Sequence, residues 1–526
     1  MPAPAITIPG RCLWCVPPAA ALAALCLLSC SDNIAPDSTQ IGAIAVAPRL
    51  TADAIGAAPV SRVRVTLTRM SDESVARDTD VTVSPADTIV DLTITVVLRE
   101  PGEQFMLMLQ LFDAQGNLVY IGGPLPVTAS PPDSPAPVVV WLMPAAGWPI
   151  VFAGDSMGGL SSGIFTVNRD GTGLTNVVSI PSFSLNRAVY PRWAPNRSRI
   201  VYGLEEPSGP SSQNHLFVVS ADGVEQARLV SDTNSAGARW SLDAAHLAFV
   251  CYGYAPQAYQ LMEDVCLIND VTGPVASLVG RGDGTGKVFV TDRVPNPAGR
   301  ALGPGAFAWD PTNPDRIAFV RDSLDAAGGW QSSRIYTALF DGTRWNVQPL
   351  SPDVMYAGGQ ALRITSAWLS WTLDGSRIAF AAEDPQFQSH IFAINRDGTG
   401  LTQLTTTADT DDDPLYAPSG SELLFTRTVA GSGSFDAWIM NADGSNQRQL
   451  TAENVGDYDV TLLGYDWSFD GQEIVLTGFE TPYGNLLIYR IPSTATAATY
   501  FTDRVLIGRG AGPGGYVRDI QPNWRP

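Results

Sequence analysis

The feature that most constrains this chain is a repeat. An aromatic residue, a polar turn and an apolar strand recur from about residue 190 onward. Trp193-Ala-Pro-Asn-Arg-Ser-Arg-Ile200 lines up with runs that open on Trp240, Trp371, Tyr416 and Trp467, and, with one inserted residue, on Trp309. A second apolar strand follows each copy, as in Leu216-Phe-Val-Val-Ser220 and Ile391-Phe-Ala-Ile-Asn395. Four of the second-strand runs lead into Asp-Gly, at Asp170-Gly171, Asp222-Gly223, Asp397-Gly398 and Asp443-Gly444. Asp-Gly between β-rich runs signals a tight hairpin, because both residues tolerate positive φ. A unit this small cannot bury its own two apolar faces. Packed radially, such units bury them against their neighbours, so the repeat predicts an all-β propeller with one aromatic anchor per blade in the inter-blade core.

The ends of the repeat region carry the most detail. Gln521-Pro-Asn-Trp-Arg-Pro526 opens another copy and stops where its next strand belongs, whereas Pro149-Ile-Val-Phe-Ala153 begins with no anchor in front of it. The two fragments are expected to form one blade, with Trp524 as its anchor, closing the ring and leaving no free sheet edge. Hairpins beginning at Ile150, Ile200, Leu247, Ile317, Ile378, Leu423 and Ile474 give seven blades, numbered one to seven below.

These residues resemble the TolB-like, WD40-like repeat family, whose pattern is P-x-W-S-P-D-G, then I-x-F, then a strand ending in D-G with a trailing L-T; Leu401-Thr-Gln-Leu-Thr405 and Gln449-Leu-Thr451 supply that tail. The resemblance covers residues 147–526 and implies a propeller in an exported protein. TolB itself has six blades and a mixed α/β N-terminal domain, so its role with peptidoglycan-associated lipoprotein is not carried over.

Residues 41–146 read differently. Short period-two strands such as Arg62-Val-Arg-Val-Thr-Leu-Thr68 and Phe105-Met-Leu-Met-Leu-Gln-Leu-Phe112 predict a small β-sandwich of immunoglobulin-like size, though without an internal cysteine pair. Residues 1–29 have the layout of a secretory signal: Arg11 as the only charge, then an apolar stretch from Ala19 to Leu28 that is too short to span a bilayer. Leu27-Leu28-Ser29-Cys30 resembles a bacterial lipobox, which implies lipidation of Cys30, while Ser31 in place of Asp implies the outer membrane. Residues 30–40 then form a polar tether, and the body faces the periplasm or the cell surface.

The formal charge of −20 opposes binding to phosphate backbones, so nucleic acid is not expected as a partner. Beyond the signal and Cys30, the cysteines are Cys251 and Cys266, an even pair that an oxidising compartment would join across blade three. The histidines, His215, His246 and His390, lie far apart, and no cofactor is expected.

Several motifs have a catalytic or binding form. Gly159-Leu-Ser-Ser-Gly163 matches a nucleophile elbow but occupies a hairpin loop of blade one, where a strand-turn-helix is required. Asp409, Asp411 and Asp413 alternate like the start of a calcium loop, although Pro414 stands in place of the glycine. Arg281-Gly-Asp283 has the form of an adhesion tripeptide, and Gly280 to Lys287 is glycine-rich without phosphate-loop spacing; both are expected in a mobile loop after blade three. Trp330, Trp345 and Trp368 break the anchor pattern and are candidates for surface contact. The sequence therefore reads as a monomeric, non-enzymatic envelope scaffold that binds a protein or envelope polymer. The alternative is a propeller-type polysaccharide lyase or glycosidase with convergent carboxylates in the channel.

Overall fold

A computed structural model describes residues 40–524 with interruptions, the longest at 51–59, 84–91, 291–305 and 452–463. The signal, Cys30 and nearly all of the tether lie outside the described residues, as do residues 159–161 of the elbow-like motif. Among the described residues, no helix is long and apolar enough to cross a membrane.

The N-terminal part contains β1 (Gln40–Leu50), β2 (Arg62–Arg69), β3 (Val75–Thr82), β4 (Leu92–Leu98), β5 (Gln104–Phe112), β6 (Leu118–Thr128) and β7 (Pro137–Pro144), in the order β3-β2-β5-β6-β7-β1-β4. The first half of β1 pairs antiparallel with β4, and its second half runs parallel to β7. This one strand therefore joins β4 to β7 within a single seven-stranded sheet. Alternation turns Val63, Val65 and Leu67, then Phe105, Leu107, Leu109 and Leu111, onto a single core with Ile94, Val96, Val140 and Leu142.

The remaining strands form antiparallel sheets with the repeat's chain order. In blade two the anchor strand Arg187–Trp193 pairs with Arg199–Ser208, which pairs with Ser211–Ser220, and Gln226–Val230 completes the sheet. The anchor strand has one sheet neighbour and lies innermost. In blade one that place is taken by Tyr516–Asn523, which pairs antiparallel with Ile150–Met157 in a register that sets Arg518 opposite Asp155 and Ile520 opposite Ala153. Because it also bridges to Asn485–Pro492 of blade seven, the first and last hairpins share one eight-stranded sheet.

Two contacts repeat from blade to blade. An anchor indole donates its Nε1 hydrogen to the backbone oxygen of the residue just before the preceding anchor: Trp240 to Arg192 at 3.2 Å, Trp309 to Arg239 at 3.0 Å, Trp371 to Ala308 at 3.4 Å and Trp467 to Leu415 at 3.1 Å. Tyr416 lacks that donor, and its backbone N–H instead reaches Ser370 Oγ at 2.9 Å. The second contact is the Asp-Gly turn. Gly171, Gly223, Gly398 and Gly444 all have positive φ, and each packs on the outer part of the preceding blade: Leu506 and Ile507, Val177, Leu350, and Leu404. A side chain at Gly398 would collide with the Leu350 carbonyl. Glycine is thus required here by the close approach as well as by the turn.

Cys251 and Cys266 form a disulfide between adjacent strands of blade three, with Cα atoms 5.8 Å apart, and both are fully buried. Its 15-residue separation corresponds to about 3 kcal/mol of stabilisation in the chain-entropy model. Reduction, or Cys251→Ala with Cys266→Ala, is expected to lower the denaturation midpoint accordingly; an unchanged midpoint in denaturant melts would show that the bond contributes nothing.

Candidate functional site

The innermost strands bound the central channel, and their pairing slips at a shared position. Register shifts occur between Val189 and Arg192, Ala236 and Arg239, Asp412 and Leu415, and Ile520 and Asn523. In each bulge the residue three before the anchor has positive φ: Tyr190 at 52°, Gly237 at 64°, Asp413 at 54° and Gln521 at 56°. Only glycine takes that conformation without strain, so Tyr190, Asp413 and Gln521 are held there by their surroundings. Pro191, Pro414 and Pro522 follow them, and a proline with no N–H to give the ladder suits a bulge. A bulge re-aims side chains, here on the strands nearest the ring axis.

The charged residues of the innermost strands divide by blade. On blades seven and one, Asp466 accepts from the backbone N–H groups of Trp467 at 2.9 Å and Trp524 at 2.9 Å, and from Asn523 Nδ2 at 3.0 Å. On blade two, the guanidinium of Arg192 is 6% exposed and donates to the Pro191 carbonyl at 3.1 Å. Burial lowers its pKa to about 10 against the attraction of Asp466. On blade three, Arg239 lies 4.3 Å over the indole of Trp368, which itself packs on Gly237 and edge-on to Phe307. On blade six, Asp413 is 8% exposed; burial, reinforced by the neighbouring Asp412, holds its carboxyl well above the usual range. Asp412 is also pushed up by burial, against a hydrogen bond from Ser389 Oγ at 2.7 Å.

The acidic run is not assembled as a calcium loop. Arg427 lies between its members, with Nε 2.6 Å from Asp411 Oδ1, Nη2 2.9 Å from Asp411 Oδ2 and Nε 3.9 Å from Asp409. The guanidinium thus supplies the positive charge that a calcium ion would bring, and Asp413 points its strained backbone toward Tyr465, whose hydroxyl donates to the Asp413 carbonyl at 2.5 Å. Among the described residues, no group of three or more His, Cys, Asp or Glu is arranged to hold a metal.

Two expectations are corrected. The stretch Gly280 to Lys287 belongs inside blade three, ahead of its fourth strand Lys287–Phe289, and it is docked: Gly280 and Gly282 donate to the carbonyls of Arg228 and Leu229, and Asp283 accepts from the backbone of Ser231 at 2.7 Å. Val275 and Leu278 anchor the preceding 3-10 turn in the core. Arg281 pairs with Asp270, so the tripeptide is occupied with internal contacts. Trp345 and Trp368 are buried at 1% and 9% exposure, so neither offers a surface. Trp345 donates to Asn269 at 2.8 Å, and Trp330 is half-buried and donates to Ser333 Oγ at 3.3 Å. His215, His246 and His390 are each buried on a different blade.

Asp322 in blade four, 4% exposed, accepts from Ser333 Oγ at 2.6 Å, and burial raises its pKa from 3.8 to about 6. A carboxyl raised by folding favours the neutral form. Its contribution is therefore complete below the unfolded value, near pH 4, and is lost as pH rises through about 6. That loss is about 3 kcal/mol. Asp322→Asn is expected to flatten the melting profile between these pH values; a variant as pH-sensitive as the parent would assign the effect elsewhere.

No protein-family model and no curated protein matches the chain. Solved structures do. The chain is similar to TolB from Acinetobacter baumannii (13% identity, TM-score 0.40, 81% of this chain and 80% of that one). It is also similar to the β-propeller domain of the Trilobed protease from Pyrococcus furiosus (10%, 0.41, 78% and 93%) and to oligogalacturonate lyase from Vibrio parahaemolyticus (10%, 0.42, 70% and 88%). At such identities the likeness is one of fold. The class the architecture defines is an all-β propeller preceded by a seven-stranded β unit with a core of its own. The similar structures include enzymes as well as TolB.

Proposed function

We propose that this chain is a seven-bladed, exported recognition scaffold, lipid-anchored through Cys30 to the outer membrane, that binds a protein partner through the propeller's channel mouth and loops. One observation supports it above others: the buried carboxylates are largely committed to contacts within and between the blades. Asp411 is paired with Arg427, Asp466 caps two anchor N–H groups, and Asp322 accepts from Ser333. Residues held this way build a rigid frame, and binding on such frames falls to the loops. Capture from solubilised envelope with the full mature chain tests the reading; recovery of no partner that survives competition with untagged protein would reject it. Fatty-acid labelling tests the anchor, and label retained by Cys30→Ala would remove it.

The second reading, a polysaccharide lyase or glycosidase, draws on Asp412 and Asp413, whose carboxyls are raised as a general acid requires. Cleavage of an envelope glycan that is abolished by Asp413→Asn in folded protein would establish it in place of the first.

A further inference from the structure

Arg192 is a buried charge without a partner charge. Its guanidinium is 6% exposed, its hydrogen bond goes to the carbonyl of the adjacent Pro191, and it forms no ion pair among the described residues. Arg427, equally buried in blade six, shows what a structural arginine looks like here, with a bidentate carboxylate and an amide oxygen on its fork. Asp466 attracts Arg192 from a distance and accepts hydrogen bonds from Trp467, Asn523 and Trp524, with no bond to Arg192. A buried guanidinium left in this state is costly, and the cost is recovered when an anion arrives.

The position adds to this. Arg192 precedes its anchor on the innermost strand of blade two, and Arg239 holds the same place on blade three, its own guanidinium over Trp368. The two strands are adjacent in the ring, tied by the Trp240 indole on the Arg192 carbonyl. On the other side of Arg192 stand two amides, Asn523 and Gln521, which accept from the backbone N–H groups of Trp193 at 3.0 Å and Tyr190 at 2.6 Å.

We propose that Arg192, on the innermost strand of blade two, forms an anion site that takes a carboxylate of the partner polypeptide, its C-terminus or an acidic side chain. A planar, singly charged carboxylate matches the guanidinium fork, whereas a dianion would meet the repulsion of a chain carrying −20 and of Asp466 close by. This deepens the recognition reading and rests on it only for the nature of the partner.

The test uses the full mature chain with N-acetylglycine as a minimal peptide carboxylate, its amide as the uncharged control, and galacturonate as a sugar acid, each followed by saturation-transfer NMR. Saturable binding of N-acetylglycine and not of the amide is expected, weakened at least about tenfold in Arg192→Met and partly kept in Arg192→Lys. Arg192→Met is also expected to melt no lower than the parent, since it removes an uncompensated buried charge. A lowered melting point would make Arg192 structural and overturn the site, as would equal binding of the amide, preference for galacturonate, or carboxylate binding that survives Arg192→Met. If a partner is captured equally by parent and Arg192→Met, the site fails and the scaffold reading stands; if the parent captures none, the scaffold reading fails by itself.

Discussion

Removing residues 516–526 is expected to lower the melting temperature more than any single substitution in the chain. The segment supplies the innermost strand of blade one and a set of contacts that join three blades. Asn523 Oδ1 accepts from the Trp193 N–H and Gln521 from the Tyr190 N–H, both on blade two. The Trp524 N–H and Asn523 Nδ2 reach Asp466 of blade seven, and the Trp524 carbonyl accepts from Arg197 at 2.5 Å. The Trp524 indole, 3% exposed, sits in one core with Ile150, Phe152, Val475 and Ile488. Trp524→Ala alone should cost about 3–5 kcal/mol from lost burial and the cavity left behind. The deletion adds the exposed strand edge of Ile150–Met157 and leaves Asp466 buried without two of its donors. Thermal melts of the parent, Trp524→Ala and the truncated chain decide it: parent-like melting of the truncated chain would mean that the ring closes without this strand.

The second large effect belongs to the Arg427–Asp411 pair. Both side chains are almost inaccessible, at 3% and 0%. Arg427→Met leaves the Asp411 carboxylate buried and uncompensated and is expected to destabilise by about 3–5 kcal/mol. Changing both, Arg427→Met with Asp411→Leu, removes the charge problem along with the pair and should recover most of that loss. A double variant as unstable as the single one would assign the cost to lost packing of Arg427 on Trp438 and Phe425, 4.5 and 5.2 Å away.

The frame was legible in the sequence because periodic burial leaves a periodic signature. Trp193, Trp240, Trp309, Trp371 and Trp467 recur at one place in the unit, and the Asp-Gly pairs mark turns whose φ only glycine takes freely. The channel was much less legible. Tyr190, Asp413 and Gln521 share no side-chain chemistry, since what unites them is a backbone conformation; the trace available was the proline after each, and glycine at 237. Trp368 stands three before its anchor, outside the one-anchor-per-blade pattern, so the repeat by itself does not place it. Its place depends on Gly237 of a different blade, a contact that no local pattern encodes. The docking of Gly280 to Lys287 is equally non-local: composition suggests freedom, and the Arg228 and Leu229 carbonyls remove it.

The strand that finishes blade one follows every other described strand of the ring in sequence. Its partners on blade two lie 330 residues earlier, as between Trp193 and Asn523. A chain emerging from its N-terminus therefore presents Ile150–Met157 long before the strand that pairs with its inner side. Contacts of such sequence separation form slowly, and an unpaired strand invites the wrong neighbour while it waits. Wherever the chain emerges, that strand stays open until Tyr516–Asn523 reaches it, so an agent that shields Ile150–Met157 over this interval is expected to protect the entire ring.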